Sequence, residues 1–118
     1  MATATMALAA TAMAKTDQQK CQHKNGHAVQ AIQRFCQKTD MVIPSDYARN
    51  GAHVGTGGPH DTRVHIDGSC NPWQWVPQQY CLSQLYNMCA QGDGAGSYGA
   101  RFYGNNNCQT WVLNVGRT

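Results

Sequence analysis

The stretch NGHAVQAIQRFC, residues 25–36, decides the fold because its apolar residues recur at helical spacing. They gather on about a third of a helical circumference, which is typical of an amphipathic helix with one face on a core. Asn25 is a suitable N-cap for this helix, and Pro44 lies a few residues beyond its expected end. The apolar residues are Ala28, Val29, Ile32, Phe35 and Cys36.

A second stretch, CLSQLYNMC at residues 81–89, keeps the same spacing and also ends in a cysteine. It predicts a second amphipathic helix, for which Pro77 suits the first turn and Gly92 the C-terminal cap. The apolar positions of this helix are Cys81, Leu82, Leu85, Met88 and Cys89.

Two strand-like runs follow each helix. Residues 50–57 and 62–68 flank a turn-rich GGPHD after the first helix, and residues 97–104 and 108–116 flank an asparagine triplet after the second. Apolar and polar residues alternate along the longer run of each pair, with the period of two that half-buried strands show. Each helix is therefore predicted to precede a β-hairpin.

The order helix, strand, strand occurs twice, and neither unit covers its own apolar surface alone. The economical arrangement packs both helices on one face of a shared sheet. We therefore predict an α+β fold: a two-layer αββαββ sandwich, stapled by disulfides, with two helices on one face of a mostly antiparallel sheet.

The six cysteines of this 118-residue chain predict three disulfides. None of them forms a CxxC pair, and an even number in a small domain is typical of an oxidising, extracellular compartment. We therefore expect a secreted protein, while spacing leaves all 15 pairings open. The cysteines are Cys21, Cys36, Cys70, Cys81, Cys89 and Cys108.

Residues 1–20 are predicted to be a leader remnant or a flexible N-terminus, and residues 21–118 a single domain. The Ala- and Met-rich start ends in an AMA sequence, which resembles a signal-peptidase site. No run approaches the roughly 20 apolar residues of a membrane span, so we expect no membrane insertion. The net charge is only +3, and the sequence contains no run of lysine and arginine residues. Nucleic acid is therefore not an expected partner.

The block YCLSQLYNMCAQGDGAGSYGARFYGNNNCQTWVL, the αββαββ order and the six cysteines resemble a family of small secreted fungal proteins typified by an antiviral glycan-binding protein of the ink-cap mushroom. The likeness covers residues 21–115 and is most specific from the second helix onward. It implies a non-enzymatic lectin without a cofactor that binds N-acetylhexosamine-containing glycans. It also implies a possible homodimer formed through sheet edges.

Candidate sugar-binding residues follow from the chemistry of a sugar ring, which offers an apolar C–H face and a fringe of hydroxyls. Trp73 and Trp75 lie two apart in NPWQWVPQQ, so an extended segment would turn both rings to one side. Three adjacent asparagines supply more amide groups than a turn needs. The candidate site comprises Trp73, Trp75, Asp67, Arg101, Tyr103, Asn105, Asn106 and Asn107.

Trp111 is assigned to the core instead, because it is in phase with Leu113 and Val115 along its strand.

Three alternatives remain. The nearest is a killer-toxin-like or host-targeting effector, since the fold does not decide between partners. A secreted ribonuclease would use His53 and His65 with Arg63 as the cationic group. A zinc site would need Cys21 with His23 and His27, which leaves one cysteine without a disulfide partner.

Overall fold

A computed structural model describes residues 15–116 of the chain. The leader predicted for the N-terminus therefore lies mostly outside the described residues. Within them, helix α1 (Asp17–Lys24) begins after Thr16, whose side chain accepts a hydrogen bond from the Gln19 amide in a capping box. Helix α1 thus begins four residues before residue 21, where the sequence predicts the start of the domain.

Both predicted amphipathic helices are present, as α2 (Gly26–Phe35) and α4 (Gln78–Gln91). Asn25 is the N-cap of α2, and its side chain accepts a hydrogen bond of 3.0 Å from the amide of His27. A short helix not predicted from the sequence, α3 (Asp46–Asn50), is capped by Ser45.

Both predicted hairpins are present in a four-stranded antiparallel sheet of order β2-β3-β6-β5. The hairpins meet through β3 and β6, which pair along their whole length. The strands are β2 (Ala52–Val54), β3 (Thr62–Gly68), β5 (Gly99–Tyr103) and β6 (Gln109–Val115). The predicted α+β fold is confirmed, and β1 (Val42–Ile43) with β4 (Gln74–Trp75) adds a small antiparallel sheet.

The helices cover one face of the large sheet, called here the inner face. All five apolar positions of the α2 stripe are buried, and so are four of the five in α4, with Leu82 partly exposed. The inner face contributes Val64, Ile66, Trp111 and Leu113 to the same core. The outer face, in contrast, carries wholly or partly exposed side chains such as His53, Arg63 and Thr110.

Three disulfides pair all six cysteines: Cys21–Cys89, Cys36–Cys81 and Cys70–Cys108. The second joins the end of α2 to the first turn of α4, and the first joins α1 to the last turn of α4. These bonds hold the helical layer together and are compatible with an extracellular protein. Within residues 15–116 no helix is long and apolar enough to cross a membrane.

Candidate functional site

A cleft of about 530 Å³ lies between two segments, residues 69–74 and 105–108. We call it the Trp73 cleft, because Trp73 forms much of one wall. The opposite wall is the asparagine triplet, which forms a tight turn closed by backbone hydrogen bonds from Asn107 to Gly104 and from Cys108 to Asn105, each 3.1 Å long. The structure therefore brings together four of the predicted site residues: Trp73, Asn105, Asn106 and Asn107.

The Cys70–Cys108 disulfide links the two walls of the Trp73 cleft directly. Beside it, the amide of Ser69 donates a 3.0 Å hydrogen bond to the carbonyl of Cys108. Gly68 allows this close approach, because a methyl group there would lie 2.3 Å from a side-chain carbon of Ile43 and 2.6 Å from the Cys108 carbonyl oxygen. The spacing of the walls is consequently fixed by covalent and backbone contacts.

The backbone conformation of this turn accounts for asparagine at two of its three positions. Asn106 and Asn107 have φ angles of 54° and 56°, in the left-handed region that asparagine tolerates better than most residues. Gly104, with φ of 83°, leads into the turn. Asn105 is outside the left-handed region, so the backbone gives no reason for an asparagine there.

The asparagine side chains of this cleft face solvent. The side chains of Asn105, Asn106 and Asn107 are exposed, and their carboxamides make no hydrogen bond with another residue of the described chain. Across the cleft, Trp73 is 63% exposed, a large fraction for a tryptophan. The cleft therefore combines an exposed aromatic side chain with amides whose donors and acceptors are available to a ligand.

Every residue that lines the Trp73 cleft is uncharged. Besides the tryptophan and the asparagine triplet, the lining comprises serine, proline, glutamine, cysteine and a fourth asparagine, Asn71. This lining suits a neutral polar ligand better than a phosphate or a carboxylate, which proteins usually bind with arginine, lysine or a metal ion.

Trp75 does not share the cleft of Trp73. Strand β4 begins at Gln74, so Trp73 lies outside the strand and the alternation expected of an extended segment does not apply. Trp75 instead lines a second cleft of about 320 Å³, called here the Trp75 cleft, with Tyr80 and Tyr103. Its indole N–H donates a 2.8 Å hydrogen bond to the carbonyl of Thr39, which anchors the ring.

Arg101 and Tyr103 are on the inner face of the sheet and do not line the Trp73 cleft, contrary to the sequence-based prediction. The Tyr103 hydroxyl donates to the side chain of Gln84 at 2.7 Å, and Arg101 donates to Asn87 at 2.9 Å and Gln91 at 3.1 Å. All three acceptors belong to α4. Arg101 and Tyr103 therefore join the edge strand to the helix.

The environment of Arg101 strengthens this structural role. Its hydrogen bond to the Tyr103 hydroxyl, helped by a second one to Tyr98, raises the pKa of the guanidinium above its ordinary value. The guanidinium also lies 4.5 Å from the centre of the Tyr98 ring, within the range of a cation–π interaction.

Asp67 lies on the outer face of the sheet, opposite Thr110 on β6. Its carboxylate is 3.2 Å from the imidazole of His65 and does not line the Trp73 cleft. The predicted joint site of Asp67 with the tryptophan segment is therefore not formed.

Trp111 occupies the core, as its strand phase predicts. It is only 3% exposed, and its indole N–H donates to the side chain of Gln109 at 2.8 Å. Its ring packs against Tyr103 with the ring centres 4.9 Å apart.

The geometry also bears on two of the alternatives. For a ribonuclease, His53 is directly opposite Arg63 on the outer face, but its imidazole contacts Asp61 and that of His65 contacts Asp67. The zinc alternative loses its thiolate, because Cys21 is bonded to Cys89. Among residues 15–116 no group of three or more His, Cys, Asp or Glu is placed to hold a metal ion.

Sequence reasoning missed several residues that line the two clefts, among them Ser69, Asn71, Gln74 and Tyr80. Asn71 and Gln74 belong to the same NPWQW stretch as the tryptophans, so their position in the sequence could have identified them as candidates. Ser69 became identifiable only with the Cys70–Cys108 pairing, which spacing left open.

Comparisons with protein-family models, with curated proteins and with solved structures gave no match for this chain.

Proposed function

We propose that the chain is a secreted, non-catalytic carbohydrate-binding protein that holds a sugar residue in the Trp73 cleft. One observation carries the proposal: an exposed tryptophan and three exposed, unpartnered carboxamides line the same cleft, whose lining is uncharged. The sequence resemblance to fungal glycan-binding proteins supports the same function.

The two walls match the two kinds of surface on a pyranose. The C–H face of the ring packs on the Trp73 indole, and the hydroxyls exchange hydrogen bonds with the asparagine triplet, whose amides both donate and accept. The uncharged lining favours neutral sugars over sialylated or phosphorylated ones. The acetamido group of an N-acetylhexosamine forms a hydrogen bond with a carboxamide of the triplet. Its methyl group contacts Pro72, which lines the cleft beside Trp73.

The fixed walls favour binding by lowering the cost of ordering the site. Because the Cys70–Cys108 disulfide and the Ser69 hydrogen bond already set the cleft width, little conformational freedom is lost when a sugar binds.

Trp73→Ala is expected to weaken binding at least tenfold, because it removes the only aromatic platform among the described residues of this cleft. A glycan array on oxidised wild-type protein identifies the best ligand, and isothermal titration calorimetry then measures its affinity for each variant. Phe102→Ala is the matched control, since Phe102 is similarly exposed at 58% but lies on the outer face. Its affinity should stay within twofold of wild type.

Two results would contradict this proposal at different levels. Unchanged affinity in Trp73→Ala would remove the site assignment while leaving a lectin elsewhere on the surface. An array without any glycan signal, combined with a response of target cells to the protein, would favour the host-targeting effector.

The asparagine triplet is tested separately, with substitutions that respect its backbone. Asn105→Ala removes one carboxamide and should weaken sugar binding two- to tenfold, the usual worth of a net hydrogen bond. Asn106→Gly and Asn107→Gly remove the amides while glycine keeps the left-handed φ. Alanine at either of these two positions would add backbone strain to the loss. Affinities within 1.5-fold of wild type in all three variants would show that the triplet only turns the chain.

The sequence-based homodimer remains a proposal. Strand β5 (Gly99–Tyr103) is an edge of the four-stranded sheet, and its backbone is the available surface for pairing with a second copy.

A further inference from the structure

We propose that the Trp75 cleft is a second sugar subsite, which binds a neighbouring residue of the glycan held in the Trp73 cleft. The ligand is then an oligosaccharide of at least two residues rather than a monosaccharide. This inference rests on the proposed function and extends it to the length of the ligand.

The Trp75 cleft has the aromatic surface that a sugar subsite needs. Trp75 is 58% exposed and Tyr80 is 56% exposed, and both line the cleft. The hydrogen bond from the Trp75 indole to the Thr39 carbonyl fixes one ring, and Tyr80 lies in the first turn of α4. Two large apolar surfaces are thus held in solvent by rigid elements.

Polar groups complete this second cleft. The hydroxyl of Tyr103 donates to Gln84 and accepts from Arg101, which leaves the amide nitrogen of Gln84 available as a donor. Because Tyr103 and Gln84 are positioned by the network that joins β5 to α4, their orientation is set before a ligand arrives. The lining of this cleft is uncharged, like that of the first.

The two clefts are continuous along the chain. Gln74 lines the Trp73 cleft and Trp75 lines the other, while Asn105 lines the first and Gly104 the second. Two steps along the chain span at most about 7 Å even when the chain is fully extended, so the backbone positions of Trp73 and Trp75 are separated by a distance comparable to one sugar unit. A linear glycan can therefore contact both.

Gly104 lets the chain between the two clefts pack closely on Gln74 and Gln109. A methyl group there would lie 2.6 Å from the side-chain oxygen of Gln74 and 3.0 Å from a side-chain carbon of Gln109. Those two glutamines are joined by a 3.0 Å hydrogen bond from the side-chain amide of Gln109 to the side-chain carbonyl of Gln74. The chain between the two clefts is consequently held against this pair of glutamines, which fixes the position of one cleft relative to the other.

The test compares ligands of increasing length. Isothermal titration calorimetry with N-acetylglucosamine and its β1,4-linked dimer, trimer and tetramer is carried out on wild type and on Trp75→Ala, Tyr80→Ala and Trp73→Ala. In wild type the affinity should rise at least tenfold from monomer to trimer. Trp75→Ala and Tyr80→Ala should abolish most of that rise and leave monomer affinity within twofold, whereas Trp73→Ala should weaken every ligand.

Circular dichroism and intact mass verify that each variant is folded and oxidised, and Trp75→Phe, which keeps an aromatic face, should restore part of the rise. The subsite is overturned if Trp75→Ala and Tyr80→Ala both retain the full increase with length, or if wild type binds monomer and trimer equally. If wild type binds none of these sugars and none on an array, the proposed function fails and the subsite fails with it.

Discussion

The Cys36→Ala/Cys81→Ala double variant is expected to lose about 3–4 kcal/mol of unfolding free energy. The bond closes a chain separation of 45 residues, for which loop entropy alone gives about 4 kcal/mol. The Cys21–Cys89 bond already encloses that loop and restricts the unfolded chain, which lowers the contribution somewhat. Urea denaturation without reductant, followed by far-ultraviolet circular dichroism, measures the change.

Intact-mass analysis is the control for this experiment, because it verifies that the other two disulfides have formed. A loss below 1 kcal/mol would mean that the helical layer is held by packing and that the covalent link between α2 and α4 adds little. Both cysteines are buried, so the alanines also remove some packing, which adds to the entropic loss.

Trp111→Ala is expected to cost about 3–5 kcal/mol of unfolding free energy, the usual range for deleting a buried aromatic side chain. The ring is nearly inaccessible and packs on Tyr103, and its N–H satisfies the buried carboxamide of Gln109. Truncation would therefore leave a cavity and an unpaired polar group together. Urea denaturation followed by circular dichroism is suitable, because the signal does not depend on the tryptophan.

Trp73→Ala serves as the matched comparison, since the same side chain is deleted from a position that is 63% exposed. Its unfolding free energy should change by no more than about 0.5 kcal/mol. Trp111→Phe should fall between wild type and Trp111→Ala. Equal stability of Trp111→Ala and Trp73→Ala would contradict the core assignment of Trp111.

The helices and hairpins were predictable because their patterns are local. The apolar stripe of residues 28–36 can only be buried as a helix face, and the alternation in β3 and β6 selects which residues face the core. The disulfide pairing was not predictable, since it depends on how α1, α2 and α4 lie beside one another. The small sheet of β1 and β4 was missed because two-residue strands carry no periodic pattern.

Strand β5 shows why Arg101 and Tyr103 do not line the Trp73 cleft with the asparagine triplet. In Gly99–Tyr103 the polar Arg101 faces inward and the apolar Phe102 faces outward, the reverse of the usual pattern. The reason lies in α4, whose Asn87 and Gln91 side chains meet Arg101 at the edge of the layer. Sequence alternation identifies the two faces of a strand but not the chemistry of the element that covers each one.

The overlapping disulfide loops have a consequence for proteolysis. Cys21–Cys89 encloses one part of the chain and Cys70–Cys108 encloses the next, and the two spans overlap between residues 70 and 89. A protease that cuts any single peptide bond between Cys21 and Cys108 therefore leaves both fragments in one covalent molecule. Outside the cell, where proteases are abundant, a nicked copy would keep its two halves together and both walls of its cleft in place.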